Sequence, residues 1–194
     1  GQGSIYNNFL YRWDASADTF MTGTAITADV DNTVSAALGD VDGDGFLDFI
    51  AGNGGSQVNR LYRWDAAADS FATGTDIGTD AQDSYAVSLG DLDGDGNLDL
   101  VVGNYTNGIN RLYTWDAVAD SFMAGVDLTV DAHNTLSIAL GDIDGDGDLD
   151  VVAGNSNTTN RLYFNKPTSP VVEMDDYIIG TIAGNGTPGS SGDD

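Results

Sequence analysis

The chain repeats itself at a fixed spacing, and no other feature restricts its fold as much. "NRLYRWDAAADSF" at 59–71 returns as "NRLYTWDAVADSF" at 110–122, 51 residues later, and is prefigured 51 residues earlier by "NFLYRWDASADTF" at 8–20. "GDVDGDGFLDFIAGN" at 39–53 returns as "GDLDGDGNLDLVVGN" at 90–104 and "GDIDGDGDLDVVAGN" at 141–155, again at 51. A fourth Leu-Tyr segment, "NRLYFN" at 160–165, comes at a spacing of 50 and has lost the Trp-Asp pair. Units of this size cannot bury a hydrophobic face alone, so they must stack on their neighbours.

Within one unit the pattern is all β. "TVSAALG" (33–39) and "LDFIAGN" (47–53) are short apolar or alternating runs on either side of an aspartate-rich turn. "NRLYRWD" (59–65) alternates, with Tyr62 and Trp64 on one face and Leu61 and Arg63 on the other. "DAAADS" (65–70) reads as a turn, being too short for a helix between strand signals, and a weaker strand starts near Phe71. Four short strands per 51 residues predict an all-β chain in which each unit is a propeller blade or another stacked β repeat; as β-propeller-type repeats the chain holds about three and a half blades.

Composition agrees. Of the 31 acidic residues 30 are Asp and only Glu173 is Glu, a bias toward turns and metal loops and away from helices. A formal net charge of −25 argues against nucleic acid or an anionic membrane as partner and in favour of cations. There is no cysteine, hence no disulfide framework or thiolate site, and no apolar run long enough to span a bilayer.

The turn D-x-D-G-D-G-x-x-D suits a hard cation. In the first copy Asp40, Asp42 and Asp44 alternate, so a curled loop turns three carboxylates inward. Gly43 and Gly45 permit the curl, the Phe46 carbonyl adds an oxygen, and Asp48 closes the shell, as a bidentate ligand if geometry allows. The second set is Asp91, Asp93, Asp95, the Asn97 carbonyl and Asp99; the third is Asp142, Asp144, Asp146, the Asp148 carbonyl and Asp150. Oxygen ligands without His or Cys select Ca2+ over Zn2+ and over the tighter octahedron of Mg2+, which predicts three Ca2+ sites. An EF-hand would need Glu at the twelfth position, where the three copies have Ala51, Val102 and Ala153, and helices on both sides.

The loop, the Leu-Gly before it, the Leu-Asp after it and the following "NRLY" resemble FG-GAP/VCBS-type repeats, the calcium-loop blades of integrin-α-like propellers. The resemblance covers about residues 1–166 and implies Ca2+ held in a hairpin between the first two strands of each blade. The Phe-Gly and Gly-Ala-Pro signatures of integrin blades are missing, so integrin-style ligand binding does not carry over. The units read as a partial repeat at 1–28 and repeats at 29–79, 80–130 and 131–166, then a linker at 167–176. Residues 177–194 resemble the start of an NHL repeat, and both ends read as interrupted, as in a piece of a longer chain.

The functional expectation is a non-catalytic, Ca2+-stabilised extracellular or cell-surface module, structural or adhesive, that assembles into a filament or surface layer. Self-association or further blades would then be its partners, alongside calcium. The alternative is a carbohydrate-binding or accessory propeller of a secreted polysaccharide-active enzyme, with glycans as partners. Trp13, Trp64 and Trp115, with Tyr11, Tyr62 and Tyr113, recur at one repeat position and favour packing between blades over sugar platforms. Arg60, Arg111 and Arg161 are expected to pair with nearby Asp, and the lone His133 has no counterpart that would build a hydrolase triad. Three N-x-S/T triplets occur, at Asn104, Asn157 and Asn185, the first two expected in exposed loops open to glycosylation.

Overall fold

The computed structural model describes residues 7–165; the expected linker, the NHL-like segment and Asn185 lie outside them. Every regular element among the described residues is a strand. The partial first copy supplies β1 (Phe9–Leu10), β2 (Trp13–Asp14), β3 (Thr19–Phe20) and β4 (Thr24–Ala25). The next unit holds β5 (Thr33–Gly39), β6 (Asp48–Asn53), β7 (Gln57–Tyr62), β8 (Trp64–Asp65), β9 (Ser70–Phe71) and β10 (Thr75–Gln82). Its successor repeats the order as β11 (Ser84–Gly90), β12 (Asp99–Asn104), β13 (Gly108–Tyr113), β14 (Trp115–Asp116), β15 (Ser121–Phe122) and β16 (Val126–His133). The last contributes β17 (Thr135–Gly141), β18 (Asp150–Asn155) and β19 (Arg161–Tyr163).

These strands form antiparallel sheets in simple up-and-down order. Two are four-stranded, β5-β6-β7-β10 and β11-β12-β13-β16, and β17-β18-β19 is three-stranded among the described residues. β1 pairs with β4 as β7 pairs with β10, giving the outer half of a preceding sheet. First strands stand together, β11 lying against both β5 and β17. The aspartate turn therefore always joins the first strand of a sheet to its second.

Second strands are buried on both sides. All six residues of β6 and of β12 are buried, because successive side chains of a strand enter different interfaces. Phe49 and Ala51 join Tyr62 facing the preceding unit, with Ile26 and Phe71 against them. Ile50, between them, faces forward with Val41, Leu61 and Ile77 and meets Leu100, Val102, Tyr113 and Trp115 of the next sheet. The same exchange recurs one unit on, where Leu92 and Val101 meet Val151, with Leu140, Leu149 and Tyr163 packed around them.

A glycine fixes how close the sheets come. A Cβ on Gly39 would stand 2.7 Å from Leu89 Cδ1 and Leu98 Cδ1, and one on Gly90 would stand 2.8 Å from Leu140 Cδ1 and Leu149 Cδ1. β5 and β11 thus each end in a hole that receives a leucine pair from the following sheet.

Two expectations, one about the third strand and one about the fourth, need correction. "NRLYRWD" is not one strand: β7 ends at Tyr62 and the chain leaves the sheet at Arg63, whose carbonyl accepts from Ala72 N–H. Trp64 then pairs with Phe71 in a separate two-strand hairpin. The fourth strand accordingly starts at Thr75 and not near Phe71. The turn between β8 and β9 is the expected one, with Asp65 Oδ1 accepting from Ala67 and Ala68 N–H and Asp69 in the left-handed region at φ 53°.

Candidate metal centre

The three aspartate turns stand at the same place in successive sheets and curl as the glycines allow, with φ of 74° at Gly43 and 92° at Gly45 in the first. Each turn is organised by its own carboxylates. Asp40 Oδ2 accepts from Gly45 N–H at 2.9 Å, Asp42 Oδ1 from Asp44 N–H at 3.2 Å and Asp44 Oδ1 from Phe46 N–H at 2.8 Å. The second turn repeats this, Asp91 accepting from Gly96, Asp93 from Asp95, and Asp95 from Asn97. In the third, Asp142 accepts from Gly145 and Gly147 and Asp146 from Asp148.

In the first two turns the carboxylates at the first, second and last positions converge. One oxygen each of Asp40, Asp42 and Asp48 lies within 4.8 Å of the others, as it does for Asp91, Asp93 and Asp99. In the third turn the set is Asp142, Asp144 and Asp146. Asp44, Asp95 and Asp150 are outside these closest sets, and Phe46, Asn97 and Asp148 stand in the loops as donors to the preceding Asp.

Like charges this close repel by about 1 to 4 kcal/mol a pair, depending on screening. The donor set fits a divalent cation bound through oxygen. Asp40 Oδ1 is buried and has no hydrogen-bond partner, which a buried carboxylate oxygen does not tolerate without compensation. Burial pushes the carboxyls of Asp48 and Asp99 up; backbone donors partly oppose this, and the neighbouring aspartates add to it. Asp95 is held below its ordinary value, chiefly by the N–H of Asn97. Three Asp groups that could hold metal ions are thus a feature of the fold.

The last Asp of each turn does a second job that its sequence position does not announce. Asp48 is fully buried, Oδ2 accepting from Val41 N–H at 3.1 Å and Oδ1 from Trp64 N–H at 2.9 Å. Asp99 does the same for Leu92 and Trp115, and Asp150 for Ile143 and Asn165. The carboxylate pins the loop to the second residue beyond the third strand.

Sequence reading also missed two contacts between units. Arg12 reaches Asp69, and Arg63 reaches Asp120 through Nη1 to Oδ2 at 2.7 Å and Nη2 to the carbonyl at 2.6 Å. Their guanidinium groups lie over Trp64 and Trp115, at 5.5 and 5.3 Å from the ring centroids. The repeated tryptophans are thus covered where the preceding unit is among the described residues. Trp115 is 4% exposed, whereas Trp13 is 53% exposed.

Arg60 does lie near Asp29, Asp31 and Asp76, Arg111 pairs with Asp80 and Asp127, and Arg161 with Asp131. His133 stands at the Asp31 position and accepts from Arg161 Nε at 3.2 Å.

One glycosylation expectation fails. Asn104 is buried, and its Nδ2 donates to the Ile109 carbonyl while its Oδ1 accepts from Ser84. It is the structural twin of Asn53 and Asn155, which hold the second strand to the third in the same way. Asn157, in contrast, is exposed.

Comparison with known proteins agrees with this geometry. The profile of the FG-GAP-like repeat matches residues 40–102 and again 91–153. No curated protein matches the chain.

Proposed function

Because the chain belongs to the FG-GAP-like repeat family, we propose that it is a non-catalytic structural or adhesive module, stabilised by Ca2+, of a secreted or cell-surface protein. The observation that carries this reading is the threefold convergence of carboxylates at the same point of three successive blades, with Asp40 Oδ1 buried and unpartnered in the first. Asp40, Asp42 and Asp48, with Asp44 and the Phe46 carbonyl, would hold the first ion; the equivalent residues of the next two blades would hold the others. Bound Ca2+ supplies the positive charge that cancels the repulsion among them. The chain's own donors curl the loop, and Asp48, Asp99 and Asp150 couple it to the blade.

The scale of the effect supports a structural role. One site adds about 4 kcal/mol when free Ca2+ exceeds its dissociation constant a thousandfold. Three such sites are comparable with the whole net stability of a domain, about 5 to 15 kcal/mol. Weak oxygen-ligand sites fill in extracellular Ca2+ and not in resting cytosol, which supports export. No helix of the described residues is long and apolar enough to cross a membrane.

Assembly with further blades, from the same chain or a second copy, is the partner reading. Leu38 and Leu47, the counterparts of the pair that fills Gly39, are 62% and 56% exposed at one end. At the other end Gly141, counterpart of Gly39 and Gly90, has nothing among the described residues within 4 Å of its Cβ position.

Thermal melts followed by circular dichroism test the central claim. Excess EDTA should lower the midpoint by at least about 10 °C relative to millimolar Ca2+, and Mg2+ should restore little of it. A midpoint indifferent to chelator removes the proposal.

A further inference from the structure

The three loops are not equivalent, and the residue that distinguishes them is Arg63. Its Nη1, besides holding Asp120 of the next blade, lies 3.6 Å from Asp42 Oδ2, one of the three converging carboxylates of the first loop. The counterpart of Arg63 in the second blade is Thr114 and in the third Phe164, so neither of those loops has a cation from this position. Shielding differs accordingly. The Asp42 side chain is 15% exposed under the guanidinium, whereas Asp93, its twin, is exposed.

We infer that Arg63 sets the cation affinity of the first loop, making it weaker than the second, and couples occupation of that loop to the junction between the first two full blades. The inference rests on the Ca2+ reading of these loops. Without a divalent ion, Arg63 is shared between Asp42 and the Asp120–Trp115 contact and partly neutralises the carboxylate cluster. That stabilises the empty loop. A divalent cation held by Asp40, Asp42 and Asp48 adds like charge a few ångströms from the guanidinium, so the two compete for Asp42. Competition of this kind is reciprocal: whatever Arg63 takes from cation affinity, the cation takes from the Arg63–Asp42 attraction. Arg63 keeps its bonds to Asp120, so filling the loop shifts it toward the next blade.

The test uses the full chain labelled with 15N and titrated with buffered Ca2+. The amides of Gly43 and Gly45 report the first loop and those of Gly94 and Gly96 the second. In the wild type the first loop should fill at higher free Ca2+ than the second. Arg63→Thr, which installs the residue that the second blade carries, should lower the first loop's midpoint by about tenfold and leave the second's in place. Arg63→Lys keeps the charge and should stay near wild type.

Asp120→Asn keeps Arg63 but weakens its hold on the next blade. It should raise the first loop's midpoint, because more of the guanidinium's attraction then falls on Asp42. An unchanged or raised first-loop midpoint in Arg63→Thr, or equal shifts in both loops, overturns the inference while leaving the Ca2+ reading intact. Absence of any Ca2+ response in either loop of the wild type overturns both.

Discussion

The two junctions that link the last three sheets are built from the same repeat positions and are not equally closed. At the first, Val41 is 2% exposed and Ile50, Leu61, Ile77, Leu100, Val102, Tyr113 and Trp115 are buried with it, under the Arg63–Asp120 clamp. At the second, Leu92, Val101 and Val151 are the buried members, and the remaining contacts are half-buried. The positions that would make the clamp there hold Thr114 and Asn165. Arg is present where a Trp-Asp follows one unit later and absent where it does not. A junction in this fold is therefore a matched set, an aromatic plug from one unit and a cationic cover from the other. Losing one partner removes the advantage of keeping the other.

The strongest test of that contrast is to remove the plug where it is covered and where it is not. Trp115→Ala should cost about 3 to 5 kcal/mol, the usual loss for a large buried aromatic. Trp13→Ala changes the same repeat position with no unit in front of it among the described residues, and its edge-on contact with Phe20 is worth about 1 kcal/mol. Urea unfolding at fixed Ca2+ measures both. Equal losses would mean that junction burial does not distinguish the units.

A second test separates the two duties of the aspartate turn. Asp99 holds Leu92, which packs in the second junction, and Trp115, which packs in the first, so it underlies both. Asp99→Ala leaves two buried N–H groups without partners and should cost about 2 kcal/mol even in EDTA, after relief of the carboxylate's own burial is allowed for. Asp95 is exposed and organises only its own loop. Asp95→Ala should therefore be close to silent in EDTA and destabilising only when Ca2+ is present. If both variants lose stability only with Ca2+, the buried anchor has no role apart from the ion.

Much of this was legible in the chain. The 51-residue spacing, the alternating "TVSAALG" and the short apolar run in "LDFIAGN" give the sheets, because strand patterning is local and needs no partner to be seen. The carboxylate clusters are legible for the same reason, all their members lying within nine residues. What escaped depends on docking. Arg63 meets Asp120 across 57 residues and a sheet boundary, and nothing in "NRLYRWD" says which neighbour its arginine will find. The burial of Asn104 escaped because its triplet looks like a surface signal until Asn53 and Asn155 are seen in the same role. A signal for the clamp was there, in the joint loss of Arg at 114 and Trp at 165, but only a structure tells which of the two covers the other.

The smallest expected effect concerns the residue between sheets. Asn32, Asp83 and Asn134 occupy one repeat position, and the carbonyl of each accepts from a turn of the sheet that follows it, at Gly54, Tyr105 and Ser156. Asp83 alone is ionisable. Its Oδ1 accepts from Gly55 and Ser56 N–H of the preceding turn, and its Oδ2 accepts from the Thr106 hydroxyl at 2.7 Å. The Thr106 hydrogen bond, aided by those two backbone donors, holds its carboxyl below the ordinary value. A folded-state value below the unfolded one means that the stabilisation is fully present above the unfolded pKa, about 3.9, and is lost as pH falls through the lower folded value. Because the group is largely solvated, the effect should stay under about 1 kcal/mol. Asp83→Asn keeps one acceptor oxygen and cannot titrate. Its deficit against wild type in urea unfolding should therefore be larger at pH 7 than at pH 3. Asp48 and Asp99, pushed the other way by burial, contribute with opposite sign in both proteins and cancel in the difference. Parallel pH profiles would show that the ionised Asp83 does no more at its junction than the asparagines do at theirs.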